Sequence, residues 1–448
     1  MDEKSDTKQL TRGIDDALLQ ANMLTYRLPA EISVATSRTH VVDQFQSQTY
    51  APSQRMILNS QTGSAFINGR ESWLEFTVKG LTTAGGIPAT TDADWGSGSA
   101  CNVINEVLVK ARTGREICRL ENANLANKIM DQWNCPAGWF NTAGSVQGYG
   151  TIATTGGMVA EVVTINGVTG SRYCIPLHRI IPFFDQKRLL PPAVMEGLQI
   201  EFLLESFNNA LNVSTPGDAA TYQISSPEIH WSTTTLADQF RRKVLEISAK
   251  SGLYLLHKEL FHQQTSLIAN TTAQANYDIK MAASKALMAM VITRNNANVD
   301  VKSNVDSMGS AVADYKTAIA HIGANYYPQQ RLDSVSGATG FQEVFYMNAL
   351  NCFNKDTQCW NPPATSLVGY KSGETVNAVG TTVASAVHCV KLNKSGVTDL
   401  DGMVINNSRA LVFDISYQSA GSYARRLDSY LQHVRAVQIF PNNVTVRD

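Results

Sequence analysis

The chain has 448 residues, 44% of them hydrophobic, with 37 Lys and Arg against 38 Asp and Glu for a formal net charge of −1. That composition supplies substantial cores and excludes disorder for most of the chain, and the charge balance excludes a nucleic-acid binder that works through bulk basicity. Only 17% of residues are charged, against about 25% in an ordinary soluble domain, a deficit that fits a surface covered by other copies.

The length suits two or three domains. No stretch approaches the roughly 18 apolar residues that span a bilayer. The first twenty residues are rich in Asp and Lys and lack the apolar core of a secretory signal. The seven cysteines are therefore expected to stay reduced.

Residues 1–40 read as an N-terminal arm. Leu10, Ile14, Ala17, Leu18, Ala21 and Leu24 recur at three- and four-residue steps, the stripe of an amphipathic helix, and Pro29 ends it. Such a stripe docks on its own domain, on a neighbour or on a membrane face, and periodicity does not name which. The strands are expected to begin near Ser53. Trp73–Lys79 alternates, with Leu74, Phe76 and Val78 on one face. Glu121 to Trp133 reads as a helix. In Gly197–Glu205 the residues Leu198, Ile200, Phe202 and Leu204 point one way, and Leu236 to Lys250 is again helical. Ala286 to Ile292 is a strand-sized apolar run, and Leu411, Phe413, Ile415 and Tyr417 form a last alternating face. A two-residue period marks strands with one buried side, and many of them between Gly-rich loops predict an all-β fold of sandwiches or barrels.

The chain also resembles itself. Laying Trp73–Lys79 on Ala286–Ile292 lays Gln199–Ser206 on Val412–Ser419, and one residue further Pro227 falls on Pro441. Two similar β domains are expected, at 41–235 and 236–448, with the helical 236–250 stretch as their joint.

Residue patterns that carry chemistry are missing. No Gly-x-x-x-x-Gly-Lys-Ser/Thr loop is present, and Gly96-Ser-Gly-Ser-Ala100 has no strand-then-helix context. The spacing of Cys101, Cys118 and Cys135 matches no ligand set, and His257 and His262 read as surface histidines. Glu201 and Glu205 would lie about 13 Å apart along a strand, beyond the roughly 5–9.5 Å of glycosidase pairs. They read as the solvated side of that strand. No nucleophile elbow and no calcium-loop rhythm appears. The expectation is a chain that is not an enzyme, with no catalytic, metal or cofactor-binding residues.

One segment is distinctive: Ile175-Pro-Leu-His-Arg-Ile-Ile-Pro-Phe-Phe-Asp-Gln-Lys-Arg-Leu-Leu-Pro-Pro192, followed by Gly197-Leu-Gln-Ile-Glu-Phe202. It resembles the strand, Phe-Phe turn, Leu-Leu-Pro-Pro and Gly-Leu-x-Ile-x-Phe strand of double jelly-roll major capsid proteins. That lineage includes adenoviruses, tailless phages, nucleocytoplasmic large DNA viruses, virophages and Polinton-like viruses. Ser53–Asn59 through Trp73–Lys79, and Asn102–Gly114 with its Gly hairpin, are similar to strands of the same family. The resemblance runs over about 50–230 and thins after 250, and Pro182 stands where many relatives carry Gly.

The resemblance implies two tandem eight-stranded jelly rolls with a few short helices, in a subunit that trimerises into pseudo-hexagonal capsomers. Those would close an icosahedral shell around a DNA genome, assembled inside the host cell, with a small Polinton-like or virophage-like virus as the expected source. Its implied partners are the homotrimer, neighbouring capsomers, penton and minor capsid proteins, and an internal membrane reached through the arm. No sequence-specific nucleic-acid binding is implied. Two rivals carry different expectations: a tandem β-sandwich lectin or adhesin, which calls for an export signal, and a β-scaffold hydrolase, which calls for converging carboxylates.

Overall fold

The computed structural model describes residues 35–82, 93–95, 98–149, 151–152, 158–159, 162–163, 170–213, 220–250, 252–267, 274–295, 315–333, 343–353, 387–393, 402–406, 408–417, 425–440 and 443–447. Strands β1 (Ala35–Gln44), β2 (Arg55–Asn59), β3 (Phe66–Thr82), β4 (Ile104–Lys110), β5 (Glu116–Glu121), β6 (Ser171–Pro176), β7 (Gln199–Leu204) and β8 (Ala220–Leu236) build two antiparallel sheets. One runs β1-β8-β3-β6 and the other β2-β7-β4-β5.

The second half repeats the pattern with β9 (Leu253–Leu267), β10 (Gln274–Ile279), β11 (Ala283–Asn295), β12 (Tyr315–Ile322), β13 (Asn325–Asp333), β14 (His388–Lys391), β15 (Leu411–Tyr417) and β16 (Arg425–Phe440). Its sheets run β9-β16-β11-β14 and β10-β15-β12-β13, the first-half order advanced by eight. Four antiparallel pairs wrapped across two facing sheets make a jelly roll. The chain is a double jelly roll.

The alternation read from the sequence is the core. Leu74, Phe76 and Val78 of β3, Ile200, Phe202 and Leu204 of β7, and Leu411, Phe413, Ile415 and Tyr417 of β15 are all buried. The internal repeat is topological as well. Trp73–Lys79 and Ala286–Ile292 occupy the equivalent β3 and β11, and Gln199–Leu204 and Val412–Tyr417 the equivalent β7 and β15. The Pro227–Pro441 match has no such footing: Pro227 sits inside β8, and Pro441 lies outside the described residues. The register of β8 on β3 skips from Ser225 to Glu228, and Ser226 takes φ 49°. A bulge of this kind leaves a proline's missing N–H without a ladder partner to disappoint.

One expectation changes, and one helix is added. Among the described residues the sheets begin at Ala35, ahead of Ser53, so residues 35–40, read as arm, are strand. β1 pairs with β8 from Ala35↔Leu236 to Gln44↔Glu228. As a largely exposed edge strand with the sequence ATSRTHVVDQ, it has no alternating apolar face to read. The helical stripe Leu10–Leu24 lies outside the described residues. The two expected helices stand, as α1 (Ala123–Asn134) and α2 (Asp238–Lys250), and α3 (Glu343–Cys352) is a further helix of comparable length that no periodicity announced. Gly197, placed at the opening of β7, takes φ +72°, a left-handed conformation that glycine adopts without cost.

Candidate functional site

β5 and β9 are edge strands of their sheets, and an edge strand presents unpaired backbone groups that need cover. Here the two rolls cover each other. The Arg119 N–H donates to Glu259 Oε1 of β9 at 2.6 Å. Arg435 Nη1 of β16 donates to the Ile117 carbonyl at 3.3 Å, and Tyr430 Oη to that of Asn122 at 3.0 Å. In return Gln186 Nε2 donates to the Leu256 carbonyl at 3.0 Å, and Arg115 Nη2 to that of Val446 at 2.9 Å.

Aromatic side chains fill the space between. Pro182–Phe184 forms a single 3₁₀ turn with both phenylalanines buried. Phe183 faces His257 of the second roll, ring centroids 5.5 Å apart, while Phe184 faces Trp231 of the first at 5.6 Å. β3 reaches this turn only because residue 69 is glycine: a Cβ there would sit 2.7 Å from the Phe184 carbonyl oxygen. Trp133 of α1 stacks on Phe353, which follows α3, with centroids 5.3 Å apart and planes 4° from parallel.

Three charged clusters lie in or beside this junction. The Asp428 side chain has 0% exposure, and Arg294 Nη2 approaches it to 2.6 Å, His262 Nε2 to 3.0 Å and Arg426 Nε to 3.2 Å. Burial alone would raise the Asp428 carboxyl, but Arg294, the His262 hydrogen bond and Arg426 outweigh it and hold the group well below the usual carboxylate range. Asn122, at the start of α1 with φ 46°, brings its side-chain Nδ2 to 3.0 Å from His262 Nε2. Asparagine tolerates that left-handed backbone better than most residues.

The second cluster centres on Glu259. Its register partner across β16 is His433, and that of His257 is Arg435. Arg435 Nη1 lies 2.9 Å from Glu259 Oε2, and His433 Nε2 3.8 Å from the same oxygen. Burial, then Arg435 and His433, lower the pKa of His257 to about 3. Burial, and next Glu259, push the Cys118 thiol well above its ordinary range. The third cluster borders a cleft of about 1030 Å³ lined by both rolls. There Arg179 pairs with Asp131 at 2.5 Å, Tyr149 Oη donates to Asp131 at 2.8 Å, and the Arg179 guanidinium lies 4.1 Å from the Trp139 ring centre.

The residues singled out in the sequence fall into this frame with two corrections. His257 and His262 are not surface histidines; both are packed into the junction, His257 at 4% exposure and His262 against Asp428. Glu201 and Glu205 are buried rather than solvated. Glu201 is covered by Arg55 at 2.7 Å and Lys110 at 2.5 Å. Burial would raise its carboxyl, and hydrogen bonds from those two cations lower it instead. Glu205 accepts Asn124 Nδ2 at 3.0 Å and the Ser206 N–H at 2.8 Å. Cys101, Cys118 and Cys135 are buried and unbridged, and the fold does not gather them into one group.

Among the described residues two groups have the residue types and spacing to hold a metal: Cys118, His257 and Glu259 at the junction, and Glu75, Glu228 and His230 on the outer face of β3 and β8. Ligands drawn from different strands leave no local spacing, which is why the sequence did not disclose them. The junction charges point at one another across the two rolls, so what the arrangement does physically is lock one barrel onto the other.

No protein-family model and no curated relative matches the chain. Solved structures do. The Faustovirus major capsid protein matches with TM-score 0.57 and 8% identity, covering 94% of this chain and 94% of that one. A chain of the PBCV-1 virus capsid gives 0.57 and 11%, covering 94% and 99%. The mavirus major capsid protein gives 0.53 and 10%, covering 95% and 92%. At these identities the shared property is the fold, shared over 94–95% of this chain: it has the double jelly-roll architecture of viral major capsid proteins.

Proposed function

We propose that this chain is the major capsid protein of an icosahedral DNA virus. The observation that carries the reading is the duplicated strand order, β1-β8-β3-β6 with β2-β7-β4-β5 and then the same eight strands on, joined through a buried charged junction. Two like barrels locked side by side give a block with a doubled outline. Three such blocks make a ring with six near-equivalent corners, the shape that tiles a shell. The low charge of the chain supports large contacts between copies, since few ions would have to be desolvated.

In this reading 236–250 is the joint between a first roll that begins at Ala35 and the second roll, and the product is a homotrimer with neighbouring capsomers, penton and minor capsid proteins as partners. The arm that precedes Ala35 faces the shell interior, where an internal membrane is one candidate contact. The protein resides in the virion after assembly in the host cell, and its role is mechanical rather than catalytic. The test is light scattering on purified protein, with negative-stain imaging of the same sample. The expected particle has three times the 48.8 kDa chain mass and a pseudo-hexagonal outline. A monomer at micromolar concentration overturns the proposal.

A further inference from the structure

Cys118 of β5 in the first roll and His257 and Glu259 of β9 in the second bring a sulfur, a ring nitrogen and a carboxylate oxygen to within 4.8 Å of one another. All three residues are buried. His257 is 4% exposed, and neither of its ring nitrogens has a hydrogen-bond partner among the described residues. A buried polar group left in that state costs free energy, and such groups call for a partner. One is within reach for a metal: the neutral imidazole that burial enforces is the ligating form.

We infer that Cys118, His257 and Glu259 form a transition-metal site of the zinc class, its fourth position completed by a water, which pins the first roll to the second. A mixed sulfur, nitrogen and oxygen set is the donor chemistry of tetrahedral zinc. Bond lengths of about 2.0–2.3 Å place tetrahedral ligand atoms roughly 3.4–3.8 Å apart. The three donor atoms, all within 4.8 Å of one another, need to close by up to about 1.4 Å. The second shell is in place as well. Glu259 Oε1 is held by the Arg119 N–H at 2.6 Å, which leaves Oε2 to exchange Arg435 for the metal, and orienting contacts of this kind tune metal affinity.

The charges balance. Binding replaces the Cys118 thiol proton, released to solvent, with a metal–sulfur bond. A divalent cation, one thiolate and one carboxylate then sum to zero. Arg435, which pairs with Glu259, also reaches Glu116 Oε1 at 3.7 Å and the Ile117 carbonyl at 3.3 Å, so it keeps partners when the metal takes Glu259. The other candidate group differs in this respect: His230 Nε2 is already 3.0 Å from Glu228 and its ring stacks on Trp73, while Arg172 pairs with Glu75.

The probe is Co²⁺ titrated into the full chain after stripping with a chelator. One equivalent should bind, with a thiolate-to-cobalt absorption band and the visible bands of a tetrahedral ion, and Zn²⁺ should displace it. Cys118→Ser should abolish the thiolate band, and His257→Gln should weaken binding by 10–100-fold. His230→Gln should leave the titration unchanged. Zn²⁺ should raise the melting temperature of the unsubstituted chain and not that of Cys118→Ser. An unsubstituted chain without the thiolate band overturns the inference even if the variants fail to fold. A band that survives Cys118→Ser, or is lost in His230→Gln, overturns it too.

Discussion

β3 and β11 hold the same place in their rolls, third strand of eight and inner strand of the equivalent sheet, yet they are buried differently. β3 alternates: Leu74, Phe76 and Val78 are enclosed, while Trp73, Thr77 and Lys79 between them are half exposed. Every residue of Ala286–Ile292 in β11 is buried. Thr293 points inward, its Oγ1 3.0 Å from Tyr417 Oη of the facing sheet. Met290, Ile292 and Arg294 register with Tyr430, Asp428 and Arg426, the side that meets the first roll. One topology therefore serves two purposes. The first roll keeps the outer face of this sheet polar, and the second spends its outer face on the junction. The contributions differ in kind as well: the first roll offers mainly backbone groups of β5 and the Phe-Phe turn, the second mainly charged side chains.

The comparison breaks most severely at Asp428. Asp428→Ala should leave Arg294 and Arg426, both largely buried, without their shared anion. Breaking a buried pair from one side costs about 3–5 kcal/mol, and urea unfolding should register a loss of that size or a chain that no longer folds. Phe183→Ala comes next. The ring is fully enclosed between the rolls, and removing such a ring costs about 3–5 kcal/mol, less where the site collapses. Phe184→Ala should cost a similar amount but act within the first roll, since its neighbour is Trp231. If the two variants unfold in one identical transition, the junction and the first core are a single cooperative unit. Two resolved transitions in Phe183→Ala alone would separate them.

Burial on both faces explains what could be read from the chain and what could not. β3, β7 and β15 declared themselves by alternation, because one face of each meets core and the other meets water or long cations. Ala286–Ile292 was legible as a strand-sized apolar run, the pattern of a strand enclosed on both sides. β1 was not legible, since an exposed edge strand carries no apolar period. The junction was hidden for a different reason. Its members are a cysteine from β5, histidines and a glutamate from β9 and β16, and an aspartate paired with arginines on β11 and β16. Each looks like an isolated polar residue until the two rolls meet. Glu201 was assigned to water on the strength of alternation alone, and only the cover from Arg55 and Lys110 places it inside.

Acid should weaken both rolls through histidines that burial holds low, the half-buried His178 in the first roll among them. His257 and His388 both belong to the second roll, and burial is the first cause that lowers each to about 3 from an ordinary 6.5. An unfolded chain takes up protons that the folded one refuses. Stability is therefore full above pH 6.5 and falls as pH drops from 6.5 toward 3, by about 1.4 kcal/mol per pH unit for each histidine. Asp428, held low, adds a loss in the same direction only below its ordinary value of 3.8. Between pH 7 and pH 5 each histidine should thus cost about 2 kcal/mol. His388→Phe, which replaces a ring packed against Phe413, should remove about half of the fall that the second-roll pair produces. Denaturant midpoints across that range decide it, and an unchanged slope in His388→Phe would assign the acid sensitivity elsewhere.

The smallest expected effect tests the polar outer face of the first roll. Arg38 of β1 pairs with Glu71, and their side chains are 57% and 41% exposed. Ion pairs in that setting contribute about 0–1 kcal/mol, because water screens the attraction and ordering two long side chains offsets much of it. Arg38→Ala should therefore move the melting temperature by no more than about 4 degrees, on the scale of roughly 2–4 °C per kcal/mol for a barrel of this size. Arg294→Ala, on a second-roll strand of equivalent topology, removes the closest cation of Asp428 and should cost several times more. The pair of variants measures the asymmetry directly, since both remove one arginine from one carboxylate and differ in whether the other roll covers the site. Similar losses would mean that the first roll's outer face is also covered, by another copy in the assembled particle, and repeating the measurement at rising dilution would then shrink the Arg38→Ala effect as the copies dissociate.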